Sequence, residues 1–143
     1  MKDYRNLLPA ELQNRAYQAN NREIAWAKAE ALTVIDVLAL NHIAILGGEV
    51  WLPTEPGPTL PAPNLYAWDA GNQFKHEHWN DYVERTRQAA RTYIASFCWK
   101  LDEKARYKLR PFFNLTICDE TEYGLLSDDL QRLKASGKKE GTA

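Results

Sequence analysis

Cysteine is scarce: Cys98 and Cys118 are the only two in 143 residues. They lie too far apart for a local metal or redox motif, and a disulfide framework needs more of them. Both are expected as buried thiols in a reducing compartment. Long apolar runs are missing, since no stretch approaches the ~20 residues that cross a bilayer. The opening segment MKDYRNLLPAELQNRAYQ has no apolar core of signal-peptide length. A cytoplasmic location without membrane contact is expected. An excess of charge of one sign is also missing. The formal net charge is -1, whereas a dedicated nucleic-acid binder is plainly basic, so no direct nucleic-acid contact is expected. The chain lacks a G-x-S-x-G elbow, a Walker lysine and a G-x-G-x-x-G loop.

What remains is a soluble globular composition, 45% hydrophobic and 26% charged. The length fits one domain that folds without metal or disulfide; residues 1–136 are assigned to it, and GKKEGTA, 137–143, to a flexible solvated tail. Five tryptophans and seven tyrosines are many for this length. They serve either core packing or a recognition surface, where Trp and Tyr are enriched.

The apolar spacing predicts a short helix within LLPAELQNRAYQAN and a second over NREIAWAKAEALTVIDVLALN, capped by Asn20 or Asn21 and ending near Asn41 and His42. IAILGGEVWL reads as a strand. WLPTEPGPTLPAPN, with five prolines from Pro53 to Pro63, reads as a stiff surface loop. LYAWDAGNQ is a short strand followed by a turn. KHEHWNDYVERTRQAARTYIASFCWK is the clearest helix: Tyr82, Tyr93, Ile94 and Phe97 are expected to face the sheet, and Arg87 and Arg91 solvent. FFNLTICDE alternates as a half-buried strand, and Ser127 caps a last helix over DDLQRLKAS. The order predicts an α+β fold: a small sheet of about three strands with two or three helices packed on one face.

Two adjacent glycines, Gly47 and Gly48, interrupt the strand AILGGEVWL. They suit a hairpin turn, a bulge in one continuous strand, or a phosphate loop. The last lacks a following helix and a Walker lysine. The bulge is preferred, because each half is short for an independent strand. The segment Leu46, Gly47, Gly48, Glu49, Val50 and Trp51, following a helix that ends in an Asn-containing turn, resembles the Immunity protein 40 family of bacterial polymorphic toxin systems. Trp68 matches a later aromatic of that pattern, and Tyr82, Tyr93 and Ile94 match an aromatic-apolar helix. The likeness spans about residues 24 to 118. It implies a non-enzymatic inhibitor that binds and blocks a cognate toxin domain.

The chemical candidates have plain structural readings beside them. His76 and His78 open a helix, where i and i+2 diverge, so they read as solvated residues and no metal site is expected. His42 reads as a helix-end residue. Cys98 reads as packing, since a reactive thiol needs an imidazole and an electropositive setting. No carboxylate pair is recognisable as an acid and base, and no cofactor is expected. Lys100, Lys104, Arg106, Lys108 and Arg110 with Tyr107 form either a phosphate-contacting patch or a salt-bridged face; Asp102 and Glu103 interrupt them. Asp119, Glu120, Glu122, Asp128 and Asp129 form an acidic stretch without a cation. It is either a polar loop with a helix cap or a surface for a basic partner, a nuclease toxin for example, whose own site must attract phosphate. The predicted partner surface is Glu49, Trp51, Trp68, Asp69, Asp119 and Glu120, gathered by strand ends at one sheet edge. The alternative is a small ligand-binding domain or enzyme with a pocket lined by Trp51, Tyr66 and Trp68.

Overall fold

A computed structural model describes residues 4–18, 23–52, 60–61, 66–99 and 110–141. A 3-10 turn, Arg5–Leu7, and a short helix α1, Ala10–Asn14, open the chain. Strands β1, Tyr17–Gln18, and β2, Ile24–Ala27, lead into helix α2, Lys28–Leu40. Strands β3, Ala44–Leu52, β4, Leu60–Pro61, and β5, Ala67–Asp69, follow. Helix α3, Trp79–Ser96, strand β6, Phe112–Cys118, and helix α4, Glu120–Gly141, complete the order.

The class is α+β, and the sheet is larger than the three strands expected. Among the described residues it has six antiparallel strands in the order β1-β2-β6-β3-β4, and β5 also pairs with β3. β5 is the short strand expected within LYAWDAGNQ. The additions are β1, β2 and β4; β1 and β4 have two residues each, too little for periodicity to register. β2 corrects the second helix: Ile24–Ala27 pair with β6 and the helix starts at Lys28. The first helix shrinks to Ala10–Asn14, and Tyr17 and Gln18 are extended. β4 places two residues of the proline-rich segment on the edge of β3, where a proline without an N–H is tolerated. The cap assigned to Asn20 or Asn21, and Lys100 to Lys108 of the basic cluster, lie outside the described residues.

α2 and α3 pack on each other and on one sheet face. Val34, Ile35 and Leu38 of α2, Ala90 and Ile94 of α3, Ile45 and Val50 of β3 and Phe113 of β6 form the main core. Tyr82 and Ile94 are fully buried, and Tyr93 and Phe97 pack against the core from its border. Arg87 and Arg91 do not simply face solvent. Both reach Asp36 on α2, Arg87 Nε to Oδ1 at 2.9 Å and Arg91 Nη1 to Oδ2 at 2.7 Å. The ion pair holds the Arg87 guanidinium above its ordinary pKa. Cys98 is exposed, past the end of α3, while Cys118 is buried.

β3 is one continuous strand, which excludes the hairpin. Ile45 pairs with Ile117 and Gly47 with Thr116, so Leu46 is an extra residue on β3. The bulge lies immediately before the glycines. Neither glycine has a positive φ; both are required by close approach instead. A Cβ on Gly47 would run into the Trp68 carbonyl of β5, and one on Gly48 into the Asn114 carbonyl of β6. The bulge also turns the Ile45 N–H toward α3. There it donates to buried Thr86 Oγ1 at 3.1 Å, whose hydroxyl donates to Val83 O at 3.0 Å. Thr86→Val keeps the shape and deletes that acceptor, so it is expected to cost about 1–3 kcal/mol. A urea midpoint equal to the parent's would show that the bulge does not need Thr86.

Candidate functional site

Residues directly paired across antiparallel strands share a sheet face. Glu49 pairs with Ala67 on one side and Asn114 on the other; Gly47 pairs with Asp69 and Thr116. These groups lie on the face opposite Ile45 and Val50, away from the helices. Asp69, Ala67 and Thr116 are exposed and Glu49 is half-buried. Glu49 and Asp69 are diagonal neighbours, a relation of about 7–8 Å between antiparallel strands. Asp69 is fixed further by an Asx turn, its Oδ1 accepting the Gly71 N–H at 2.5 Å. Gly71 has φ 88°, which suits glycine.

The tryptophans of the predicted surface are placed differently. Trp68 turns to the helix face, lies over Gly48 and stacks on Tyr93 with ring centroids 5.0 Å apart. Glycine at 48 is what leaves room for that ring. Trp51 is 1% exposed, in a buried group with Ala25 and Phe112. It offers no surface to a partner, which corrects its assignment as a contact residue. The three aromatics of the alternative pocket do not gather: Tyr66 and Trp68 pack against the main core, and Trp51 belongs to another cluster. Tyr66 meets Phe97 and Trp99 edge-on.

Asp119 and Glu120 stand elsewhere, at the sheet end where β3 begins and β6 finishes. They border an open polar cleft of about 540 Å³ with Asn41, His42, His78, Trp79, Asn80 and Thr121. Asp119 caps α4, its Oδ1 accepting the Glu122 N–H at 2.8 Å. The cap therefore lies eight residues before the expected Ser127 cap site, and the helix continues through Gly141, past the start of the segment assigned to a tail. Tyr4 ties the same turn down: its hydroxyl donates to the Glu122 carboxylate and accepts the Asp119 N–H at 3.2 Å.

The opposite wall is the end of α2. The Ile43 N–H bonds Leu38 O and the His42 N–H bonds Ala39 O, the paired bonds of a Schellman motif. His42 takes the left-handed position with φ 61°. Its carbonyl accepts Trp79 Nε1–H at 2.7 Å and its Nδ1 lies 2.9 Å from Asn80 Oδ1. His42 is thus a helix-end residue, as expected, and also a wall of the cleft. His76 and His78 are exposed. Among the described residues no three His, Cys, Asp or Glu side chains are grouped to hold a metal. Burial, with Asp119 nearby, pushes the Cys118 thiol up to about 11, so it stays protonated and unreactive at neutral pH.

The predicted surface therefore divides. The end of β3 at Trp51 and the end of β6 at Asp119 lie at opposite ends of the sheet, because the strands are antiparallel. Glu49 lies five positions along β3 from Ala44, the partner of Cys118, a span of roughly 16 Å. Sequence reasoning took Asn41 only as a helix-end residue and missed Asn80; only the folded chain brings both to the cleft with Glu120.

No helix among the described residues is long and apolar enough to cross a membrane. No curated protein and no solved structure gives a significant match to the chain. The family model for Immunity protein 40 matches residues 15–111, about two thirds of the chain. That span contains the bulged strand with its two glycines, Trp68 and the whole of α3. The chain belongs to the Immunity protein 40 family.

Proposed function

We propose that this protein neutralises a cognate toxin domain in the cytoplasm by binding it, without turnover of its own. The observation that carries this reading is the family match over residues 15–111. The surface adds to it. Carboxylates stand on two accessible parts of the molecule, Glu49 and Asp69 on the open sheet face and Asp119 and Glu120 at the cleft. A toxin domain with a basic, nuclease-type cleft would be steered by such groups and held in register by them. Trp68 acts from behind, as the support beneath the strand pair that carries Asp69.

Glu49, Asp69 and Glu120 are the test positions, because Asp119 also caps α4. The triple change Glu49→Lys, Asp69→Lys and Glu120→Lys is expected to slow association with the cognate toxin domain by about tenfold or more. The melting curve should keep its cooperativity, and protection of toxin-expressing cells should fall with the association rate. Parental binding and protection by a folded triple variant would reject this surface. Multiple-turnover conversion of a small substrate by the purified chain would reject the inhibitor reading itself.

A further inference from the structure

The segment 70–78 connects β5 to α3 and is braced by the side chains around it. The Tyr82 hydroxyl donates to Gly71 O at 2.7 Å, and the Gln73 N–H donates to the Tyr123 hydroxyl at 2.9 Å. Phe74 to Glu77 close a turn: the Glu77 N–H donates to Phe74 O and the Phe74 N–H to Glu77 Oε1, both at 3.0 Å. His76 holds the third position of that turn with φ 69°, where a type II turn prefers glycine. Arg85 of α3 locks the turn. Its Nε and Nη2 donate to the two Glu77 carboxylate oxygens at 3.0 and 2.9 Å, and Nη2 also donates to Asn72 O at 2.8 Å. What this bracing displays is a ring. Phe74 is 64% exposed, the most of any aromatic among the described residues. The Arg85 guanidinium lies over it, 3.9 Å from the ring centroid, and over buried Tyr82 at 5.1 Å. The bonds that close the turn come from backbone and carboxylate atoms, so the ring itself is not needed to form it.

A rigid aromatic at the surface binds with little loss of side-chain freedom, the property of an interface anchor. The ends of the segment say which interface. It leaves Asp69, whose carboxylate is tied to the Gly71 N–H, and it arrives at His78 and Trp79, which line the cleft with Asp119 and Glu120. Phe74 therefore lies on the stretch of chain that connects the two groups of carboxylates assigned above to toxin contact. Interfaces between proteins combine an apolar centre with a polar rim, and this stretch supplies the centre that the carboxylates lack. We propose that Phe74 is the apolar anchor of the toxin interface, positioned by Arg85 and entering an apolar pocket of the toxin domain beside the basic groups that meet Asp69. The proposal rests on the inhibitor reading above and adds to it a residue of different chemistry, whose effect on binding differs in kind from that of the carboxylates.

Binding kinetics of the full chain with the purified cognate toxin domain test it. Phe74→Ala is expected to raise the dissociation constant by about thirtyfold or more, the range of an interface hot spot, and to do so through the dissociation rate. The loss should persist in high salt, which screens exposed carboxylates but not apolar contact. The Glu49, Asp69 and Glu120 variant acts on association instead, so the two effects are separable. Phe74→Leu should keep part of the affinity that alanine loses, and both variants should melt as the parent does, since the ring is exposed. Arg85 is read through a double-mutant cycle. Arg85→Lys keeps the charge and loses the two-pronged grip on Glu77, so Phe74→Ala should cost clearly less in that background than in the parent. Parental dissociation by a folded Phe74→Ala variant, from a toxin domain that the parent binds, overturns the proposal and leaves the inhibitor reading standing. Additive losses in the cycle overturn the role of Arg85. A Phe74→Ala variant that keeps the toxin and loses self-association gives the ring to a second copy of this chain, which also overturns the proposal. A parent that does not bind the toxin domain overturns the inhibitor reading and the anchor with it.

Discussion

Gly48→Val is expected to abolish the fold. Gly48 sits in β3 between β5 and β6, and a Cβ there meets the Asn114 carbonyl on one side and the Trp68 ring on the other. The carbonyl is backbone in the strand that bonds β3, so it cannot move without breaking that ladder. The ring is held by its stack on Tyr93. A loss of more than about 4 kcal/mol is expected, the range reached only by overpacking or strain of this kind. Domains of this size hold roughly 5–15 kcal/mol in total, so most of the chain would be unfolded or insoluble. Gly47→Val should behave alike, since its Cβ meets the Trp68 carbonyl. The control is Gly124→Ala on α4, where nothing lies within 4 Å; it should be neutral or stabilising by up to about 1 kcal/mol. Urea denaturation of the three variants reads the contrast, and a Gly48→Val midpoint near the parent's would refute the close-approach account.

The glycines also show what the sequence could and could not disclose. A pair of glycines in a strand implies an unusual backbone, and a bulge followed from the shortness of each half. That the extra residue is Leu46, and that the glycines admit neighbouring carbonyls, depends on partners more than twenty residues away. The same limit explains Ile24–Ala27. Their apolar positions suit a helix continuing into α2, and only pairing with Phe112–Asn114 makes them a strand. α3 was legible because its stripe is long, yet its polar side was misassigned at Arg87 and Arg91. Helical spacing separates polar from apolar faces but does not say that Asp36 of another helix lies beside the polar one. For the candidate surface, residue type pointed to the carboxylates and strand order then separated them. Glu49 and Asp69 share a face because β5 pairs with β3, whereas Asp119 begins a helix at the far end. Trp51 and Trp68 look alike in the sequence. Alternation about the bulge buries one behind the sheet and stacks the other on α3.

Ile94→Ala is expected to cost about 2–5 kcal/mol. Ile94 is fully buried where α2, α3 and the sheet meet: Val34 and Ile35 of α2, Val50 of β3 and Phe113 of β6 share its cluster. Removing three carbons forfeits their transfer energy, and the gap that remains is hard to close. α3 is held on one side by the Asp36 ion pairs and at its end by Phe97, which meets Phe113 edge-on at 5.6 Å. A helix pinned at both places cannot settle onto the sheet, so the upper half of the range is expected. Ile94→Val removes one methyl from the same site and should cost only about 0.5–1.5 kcal/mol. Equal melting curves for Ile94→Ala and the parent would take Ile94 out of the core. The pair also separates stability from recognition. Ile94 reaches no surface, so below its own transition the alanine variant should bind the toxin domain as the parent does. The Glu49, Asp69 and Glu120 variant should do the reverse, melting as the parent does and associating slowly.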